Sequence, residues 1–233
     1  MKIAGITLRQ AAVITGLAYL LNPTAYAENF YHKLVIAGHV DQTIANIGEH
    51  RGLFSTMIAF YLINFVGDIV IAWALYALLA PVNRALSLLA SWFQLVYAAV
   101  GFGAALNLTT VSRFILDPNY PTVLQGAQLQ AQVATLLDSF RYGWSFSLIL
   151  FAIHLILVGW LIVRSRYIPW IIGVIIAIDG MGWLITELQP YLFPAVNVDW
   201  LFYTFFGELI FMLWLLIFGW RIKEPAEFAT VST

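Results

Sequence analysis

The sequence contains no cysteine, which excludes disulfide bonds, thiolate metal sites and a cysteine nucleophile. Charged residues are also scarce, at 10% of the 233 residues against about a quarter in an ordinary soluble domain. The formal net charge of −1 provides no basic field to attract nucleic acid. No phosphate-binding glycine loop and no His-Glu-x-x-His zinc motif occurs. The sequence therefore names no catalytic residue and no cofactor.

Apolar residues dominate what is present. They make up 62% of the chain, and the mean hydropathy is +0.86. Because about 20 apolar residues in a helix cross a hydrocarbon core of about 30 Å, the sequence predicts an all-α, polytopic transmembrane helix bundle. We expect a single transmembrane domain over residues 1–233, with lipid as its main partner. The six predicted spans lie near residues 8–27, 53–80, 86–112, 141–163, 168–188 and 200–220.

The first predicted span has features of a secretory signal, since Lys2 and Arg9 precede an apolar stretch that ends in small residues. We expect it to be retained as a helix, because Asn22-Pro23 interrupts the apolar run and the rest of the chain is polytopic. With an N-in, C-in arrangement, seven of the eleven basic residues lie on the cytoplasmic side. The positive-inside rule favours that orientation.

Two longer segments, 28–51 and 113–140, lie on the outer side in this topology. We expect a short interfacial helix in each. Asp41 is the predicted N-cap of the first, which runs to Glu49. The second follows the breaker run Asp117–Pro121 and is rich in glutamine, at Gln125, Gln128, Gln130 and Gln132.

The candidates for a functional site are the polar residues within the predicted spans. Asp68 lies 13 residues before Pro81, His154 10 before Arg164, Asp179 10 after Pro169 and Glu208 13 before Arg221. At about 1.5 Å per residue, all four lie roughly 15–20 Å from the cytoplasmic boundary. An ionised acid at that depth costs about 2.5–3.5 kcal/mol or more. These acids must therefore be protonated, paired with His154, hydrated or bound to a cation.

Helical spacing adds two neighbours to this group. Tyr61, Asn64 and Asp68 fall at positions i, i+3 and i+7 on one face of the second predicted span. On the fifth span, Asp179 shares a face with Trp183 and Thr186. We therefore expect Asp68, His154, Asp179 and Glu208 to line a pocket at the middle of the membrane, with Tyr61 and Asn64 as hydrogen-bonding neighbours.

Segments along most of the chain resemble the bacterial family named domain of unknown function 4386. Those segments are Ala74–Leu86, His154-Leu155, Gly159–Leu161, Arg164-Ser165, Tyr167–Pro169, Ile172-Gly173, Gly207–Leu209 and Phe211–Leu216. The resemblance implies a six-helix bacterial membrane protein, with His154, Arg164 and Glu208 at family motif positions. It implies no activity. Asp179 replaces a residue that is small in the family, so the four-residue cluster is not carried over as a family site.

Three functional hypotheses follow. The first is binding or translocation of a small apolar or cationic molecule at the polar pocket, in a multi-pass protein of the bacterial cytoplasmic membrane. The second is a metal-dependent intramembrane hydrolase, with Asp68, His154 and Glu208 as weak candidates for metal ligands; a single membrane-embedded histidine argues against it. The third is an accessory subunit that assembles with itself or with a membrane partner. A purely structural role for the buried acids, each protonated and hydrogen-bonded, also remains open.

Overall fold

The computed structural model describes residues 3–117 and 126–222, and within these ranges the chain is all-α, without a β-strand. Eight α-helices are formed in this part of the chain. They are α1 (Leu8–Leu20), α2 (Thr24–Leu34), α3 (Val40–Glu49), α4 (Arg51–Leu79), α5 (Arg84–Leu116), α6 (Ala127–Arg164), α7 (Trp170–Leu192) and α8 (Gly207–Phe218). Two 3₁₀ helices, Asp199–Thr204 and Gly219–Arg221, flank α8.

Five helical segments are long and apolar enough to cross a membrane. They comprise α4, α5, α6, α7 and the segment Asp199–Arg221 that contains α8, with lengths of 29, 33, 38, 23 and 23 residues. Large apolar side chains on these helices are exposed, among them Val66, Phe146 and Ile178. A soluble protein rarely exposes apolar surface on this scale, and lipid solvates it at no cost. The structure thus agrees with the predicted class of protein.

The first predicted span, 8–27, is not one helix. Helix α1 ends at Leu20 after 13 residues, which is about 20 Å of helix, and α2 begins at Thr24. Pro23 cannot donate the backbone hydrogen bond of a continuous helix, and the Asn22 side chain accepts from the Thr24 amide at 3.0 Å instead. The boundary at residue 27 was therefore wrong. A sixth span and the N-in, C-in orientation stay predictions.

The two longer segments that were predicted on the outer side also differ from expectation. Helix α3 begins at Val40 with His39 as its N-cap, so the predicted cap Asp41 lies in the first turn, where its charge complements the helix dipole. In the second segment, Gln128, Gln130 and Gln132 belong to the start of α6, which continues into the span without a break. A separate glutamine-rich interfacial helix was therefore wrong. Residues 118–125, with most of the breaker run and Gln125, lie outside the described ranges.

The chain groups into two compact units. The first unit consists of the described residues of Met1–Leu21, Gly67–Ala98 and Ser147–Thr233, and the second consists of those of Asn22–Val66 and Ala99–Phe146. The division falls within α4, α5 and α6. This grouping does not test the expected single transmembrane domain over residues 1–233, which stays a prediction.

Small residues set the packing inside the first unit. A Cβ atom added to Gly159 on α6 would lie 2.6 Å from the Gly173 carbonyl oxygen on α7, so the two backbones touch. Gly180 approaches the Ala152 carbonyl of α6 in the same way, at 2.8 Å. A Cβ atom added to Gly16 of α1 would lie 3.1 Å from the Leu216 side chain of α8. The hydrophobic effect does not drive helices together in lipid. Small residues join them instead, because they let the backbones approach closely enough for van der Waals packing.

Candidate functional site

The first unit contains all four predicted midplane residues. Asp68, His154 and Asp179 are buried, with exposed fractions of 3%, 0% and 0%, and Glu208 is partly buried. They lie on α4, α6, α7 and α8, respectively. The buried acids that the sequence predicts are therefore present, and their contacts show how each of them is held.

Asp179 caps the helix that carries Glu208. Its Oδ2 atom accepts a hydrogen bond of 3.0 Å from the Glu208 backbone N–H, and the Gly207 backbone N–H also lies close to this carboxyl group. Helix α8 has no capping side chain of its own, because its N-cap is Phe206. A Cβ atom at position 207 would lie 2.7 Å from Asp179 Oδ2, so glycine lets the carboxyl group reach the helix end. A carboxylate at a helix N-terminus is electrostatically favourable.

The last apolar segment is discontinuous at this point. A 3₁₀ helix ends at Thr204, Phe205 and Phe206 follow, and α8 begins at Gly207. The segment is apolar enough to cross a membrane, and in a bilayer each unsatisfied N–H group at the start of α8 would cost several kcal/mol. Irregular backbone at such a depth needs protein partners or a hydrated cavity. Asp179 supplies the partner.

Glu208 lies among other acidic groups. The Asp68 and Asp179 carboxyl groups are within electrostatic range of it, and the Tyr19 hydroxyl of α1 lies beside its carboxyl group without strict hydrogen-bond geometry. Among the described residues, no lysine, arginine or histidine forms an ion pair with Asp179 or Glu208. These two acids thus share a buried region without a counter-cation from the protein.

Three buried polar atoms follow one face of α7 without a hydrogen-bond partner in the structure. They are Asp179 Oδ1, Trp183 Nε1 and Thr186 Oγ1, at the helical positions that the sequence places on one face. The Trp183 ring stacks on Phe205, with ring centroids 4.2 Å apart. Since buried polar atoms without protein partners are usually satisfied by water or a ligand, this face of α7 is suited to hydration.

Asp68 is held by a residue that the sequence analysis did not single out. Gln94 of α5 donates from its Nε2 atom to Asp68 Oδ1 at 3.1 Å, and Gln94 is fully buried. The sequence shows Gln94 as an uncharged amide within an apolar span. That feature does not distinguish Gln94 from the other polar residues of α5, because its hydrogen bond to Asp68 exists only once α4 and α5 are packed together.

His154 bonds to the backbone of α5. Its Nδ1 atom lies 2.8 Å from the Ala90 carbonyl oxygen, and its ring stacks on Phe151. A carbonyl oxygen only accepts, so Nδ1 carries the proton and Nε2, which has no partner, is a bare acceptor in the neutral ring. Within residues 3–117 and 126–222, no three histidine, aspartate or glutamate side chains group to hold a metal ion. The candidate metal ligands Asp68, His154 and Glu208 therefore gain no support.

Tyr61 and Asn64 belong to the second unit and have partners there. The Tyr61 hydroxyl donates to Glu28 Oε1 at 2.6 Å, and Asn64 Oδ1 accepts from the Thr24 hydroxyl. Glu28 also forms an ion pair with Arg141, with Nη1 and Oε2 3.1 Å apart. The sequence analysis missed Glu28 and Arg141, because they are 113 positions apart and nothing local connects them.

Comparison with known proteins gives a family but no activity. The family described as "Domain of unknown function (DUF4386)" matches residues 3–219. A protein from Archaeoglobus fulgidus, described as "Uncharacterized protein", is 34% identical over 159 residues, which cover 67% of this chain and 80% of the relative. No solved structure matches the chain.

Proposed function

This chain belongs to the family named domain of unknown function 4386, and from the geometry of its first unit we propose that it binds a small cation, the proton in the simplest case, at Asp179 and Glu208. We place it in the cell membrane as a multi-pass protein. One observation carries the proposal: the buried Asp179 and the partly buried Glu208 have no basic partner among the described residues, and Asp179 Oδ1 has no hydrogen-bond donor there.

Two negative charges at Asp179 and Glu208 would repel each other. The start of α8 stabilises one negative charge on Asp179 through the Glu208 N–H group and the helix dipole. A second negative charge on Glu208 would then face Asp179 and Asp68 in a medium that screens poorly. The free energy of that arrangement favours uptake of a cation, either a proton on a carboxyl oxygen or a small ion between the oxygens.

The local fold supports exchange of that cation. Helix α8 starts after an irregular segment in an apolar stretch, and transporters place their ion sites at interrupted helices of this kind, where helix N-termini face anionic groups such as Asp179 and unwound backbone carbonyls face the cation. The partnerless polar atoms of Trp183 and Thr186 extend from Asp179 along α7, and water at these atoms would connect the carboxyl groups with one side of the membrane. The proposal therefore includes movement of the bound cation as well as its binding.

Infrared difference spectroscopy of the purified protein tests the binding. The carbonyl stretch of a protonated buried carboxyl group should be present at neutral pH and absent in either Asp179→Asn or Glu208→Gln. Asp138→Asn, which changes an exposed acid on α6, is the matched control and should leave the band unchanged. A small ion that displaces the proton should remove the band as it is titrated in. If the wild type shows neither a protonated carboxyl group nor binding of a cation, the proposal is wrong.

Reconstitution into vesicles tests the movement. With a pH-sensitive dye inside and a potential of known sign across the vesicle membrane, we expect proton entry in vesicles with the wild type and with Asp138→Asn. Glu208→Gln should reduce the rate to that of protein-free vesicles. Equal rates in wild-type and protein-free vesicles, for protons and for alkali cations alike, would exclude translocation and leave only the binding.

A further inference from the structure

We propose that Gln94 and His154 form a binding site for a small cation that carries N–H groups, such as ammonium or a primary alkylammonium ion. This goes beyond the proposed function, on which it rests for the positive charge of the guest, by adding a second site with its own class of cation. Among the described residues, two fully buried side chains each present an acceptor atom without a donor: Gln94 Oε1 and His154 Nε2. Neither atom is among the groups that cap α8 or pair with Glu208.

The two side chains are held one helical turn apart on α5. His154 Nδ1 bonds to the carbonyl of Ala90, which is one helical turn before Gln94 on the same face. One turn rises about 5.4 Å, so a small guest is short enough to be shared by the two positions. The Nδ1 bond also fixes the ring tautomer and its orientation, as a backbone carbonyl does for histidines that bind ligands through Nε2.

The chemistry of the site selects for a donor. Gln94 Nε2 donates one of its two N–H groups to Asp68 Oδ1, and among the described residues the acceptor Gln94 Oε1 has no donor. The neutral His154 ring likewise offers only an acceptor at Nε2. Asp68, on the other side of the Gln94 amide, contributes an acidic group that is within electrostatic range of Glu208. A guest must therefore supply hydrogen-bond donors, and the neighbouring acids favour a guest with positive charge.

The nature of the acceptors separates ammonium from other cations. A neutral imidazole nitrogen and an amide oxygen accept hydrogen bonds from an N–H group at ordinary distances, whereas sodium and potassium prefer sets of oxygen ligands. A quaternary ammonium ion has charge but no N–H donor, so it cannot satisfy these two atoms. A water molecule could donate to both atoms but would bring no charge to the acidic surroundings.

Thermal unfolding of the purified full-length protein tests the inference. At equal ionic strength, we expect ammonium and methylammonium chloride to stabilise the wild type more than sodium, potassium or tetramethylammonium chloride. Gln94→Leu and His154→Phe should each weaken ammonium binding about tenfold to a hundredfold, the range for a hydrogen bond to a charged group. Thr15→Val is the matched control: Thr15 is fully buried in the same unit, and its hydroxyl bonds to the Ala11 carbonyl.

A spectroscopic measurement on the wild type keeps the test valid if the variants do not fold. With ¹⁵N-labelled histidine, the Nε2 resonance of His154 should have the position of an unprotonated acceptor and should shift when ammonium is added. An unchanged resonance, or equal stabilisation by ammonium and tetramethylammonium, would overturn the inference and indicate water as the occupant. The proposed function would stand if the carboxyl band that depends on Asp179 and Glu208 were still observed, and it would fall separately if that band were absent.

Discussion

The carboxylate of Asp179 accepts a 3.0 Å hydrogen bond from the backbone N–H of Glu208. Asp179 therefore caps α8, the helix that has Glu208 in its first turn. This contact joins α7 to α8 at the point where the last apolar segment is interrupted. It gives Asp179 a structural role and, through the same geometry, sets the charge that Glu208 faces. Substitutions at Asp179 therefore separate the two roles.

Asp179→Ala should destabilise the protein by about 1–3 kcal/mol, because it removes the cap of α8 and leaves buried N–H groups without a partner. Asp179→Asn keeps an oxygen acceptor and should cost less, while it removes the negative charge. Thermal unfolding in detergent measures both variants, with Asp138→Asn as a surface control. An alanine variant as stable as the wild type would show that the cap contributes nothing.

Tyr61→Phe should lower stability by about 1–2 kcal/mol, since it removes the 2.6 Å hydrogen bond to Glu28 and keeps the packing of the ring against Phe140 and Trp144. The control is Tyr142→Phe, because the Tyr142 side chain is 63% exposed. Chemical unfolding followed by tryptophan fluorescence gives both values. A loss of the same size in the control would indicate a general effect of removing a tyrosine hydroxyl.

Gly159→Ala should destabilise the contact between α6 and α7 by about 1–3 kcal/mol, because the new methyl group would lie 2.6 Å from a backbone oxygen that has no room to move. Gly103→Ala is the matched control. It also places a methyl group on a spanning helix, but nothing lies within 4 Å of it, and a gain of about 0.5–1 kcal/mol is expected from helix propensity. Opposite signs of the two changes are the expected result.

Tyr31 makes stability depend on alkaline pH. Burial raises the pKa of its hydroxyl from the ordinary value of 10.0 to about 12, with Arg141 opposing the shift. Above pH 10 the unfolded chain loses this proton before the folded one does, so the folded state loses stability as the pH rises from about 10 to 12. The loss is about 2–3 kcal/mol at about 1.4 kcal/mol for each pH unit.

Tyr31→Phe should flatten the fall in unfolding free energy across this pH range. Tyr203→Phe, at a side chain that is 79% exposed, should leave the slope of the wild type unchanged. Unfolding measured at several pH values for the three proteins gives the comparison. A Tyr31→Phe slope equal to that of the wild type would assign the alkaline loss of stability to other groups.

Part of the candidate site could be predicted from the sequence. Asp68, His154, Asp179 and Glu208 stood out because a titratable side chain in an apolar span is costly wherever it points. Their partners could not be predicted, because Gln94, Ala90 and Gly207 become partners only when separate helices meet. Helical spacing placed Tyr61, Asn64 and Asp68 on one face, yet Tyr61 and Asn64 take their partners from the second unit, at Glu28 and Thr24.

The sequence alone determined that the chain is helical and suited to a membrane, because hydropathy sums over about 20 consecutive residues and needs no distant contact. It also identified the titratable residues in apolar spans, where an ionised side chain costs free energy. Only the tertiary structure decided where helices are interrupted and which polar atoms are satisfied. Gly207 has meaning as an opening for a cap only through Asp179 opposite it, and that contact joins residues that are far apart in the chain.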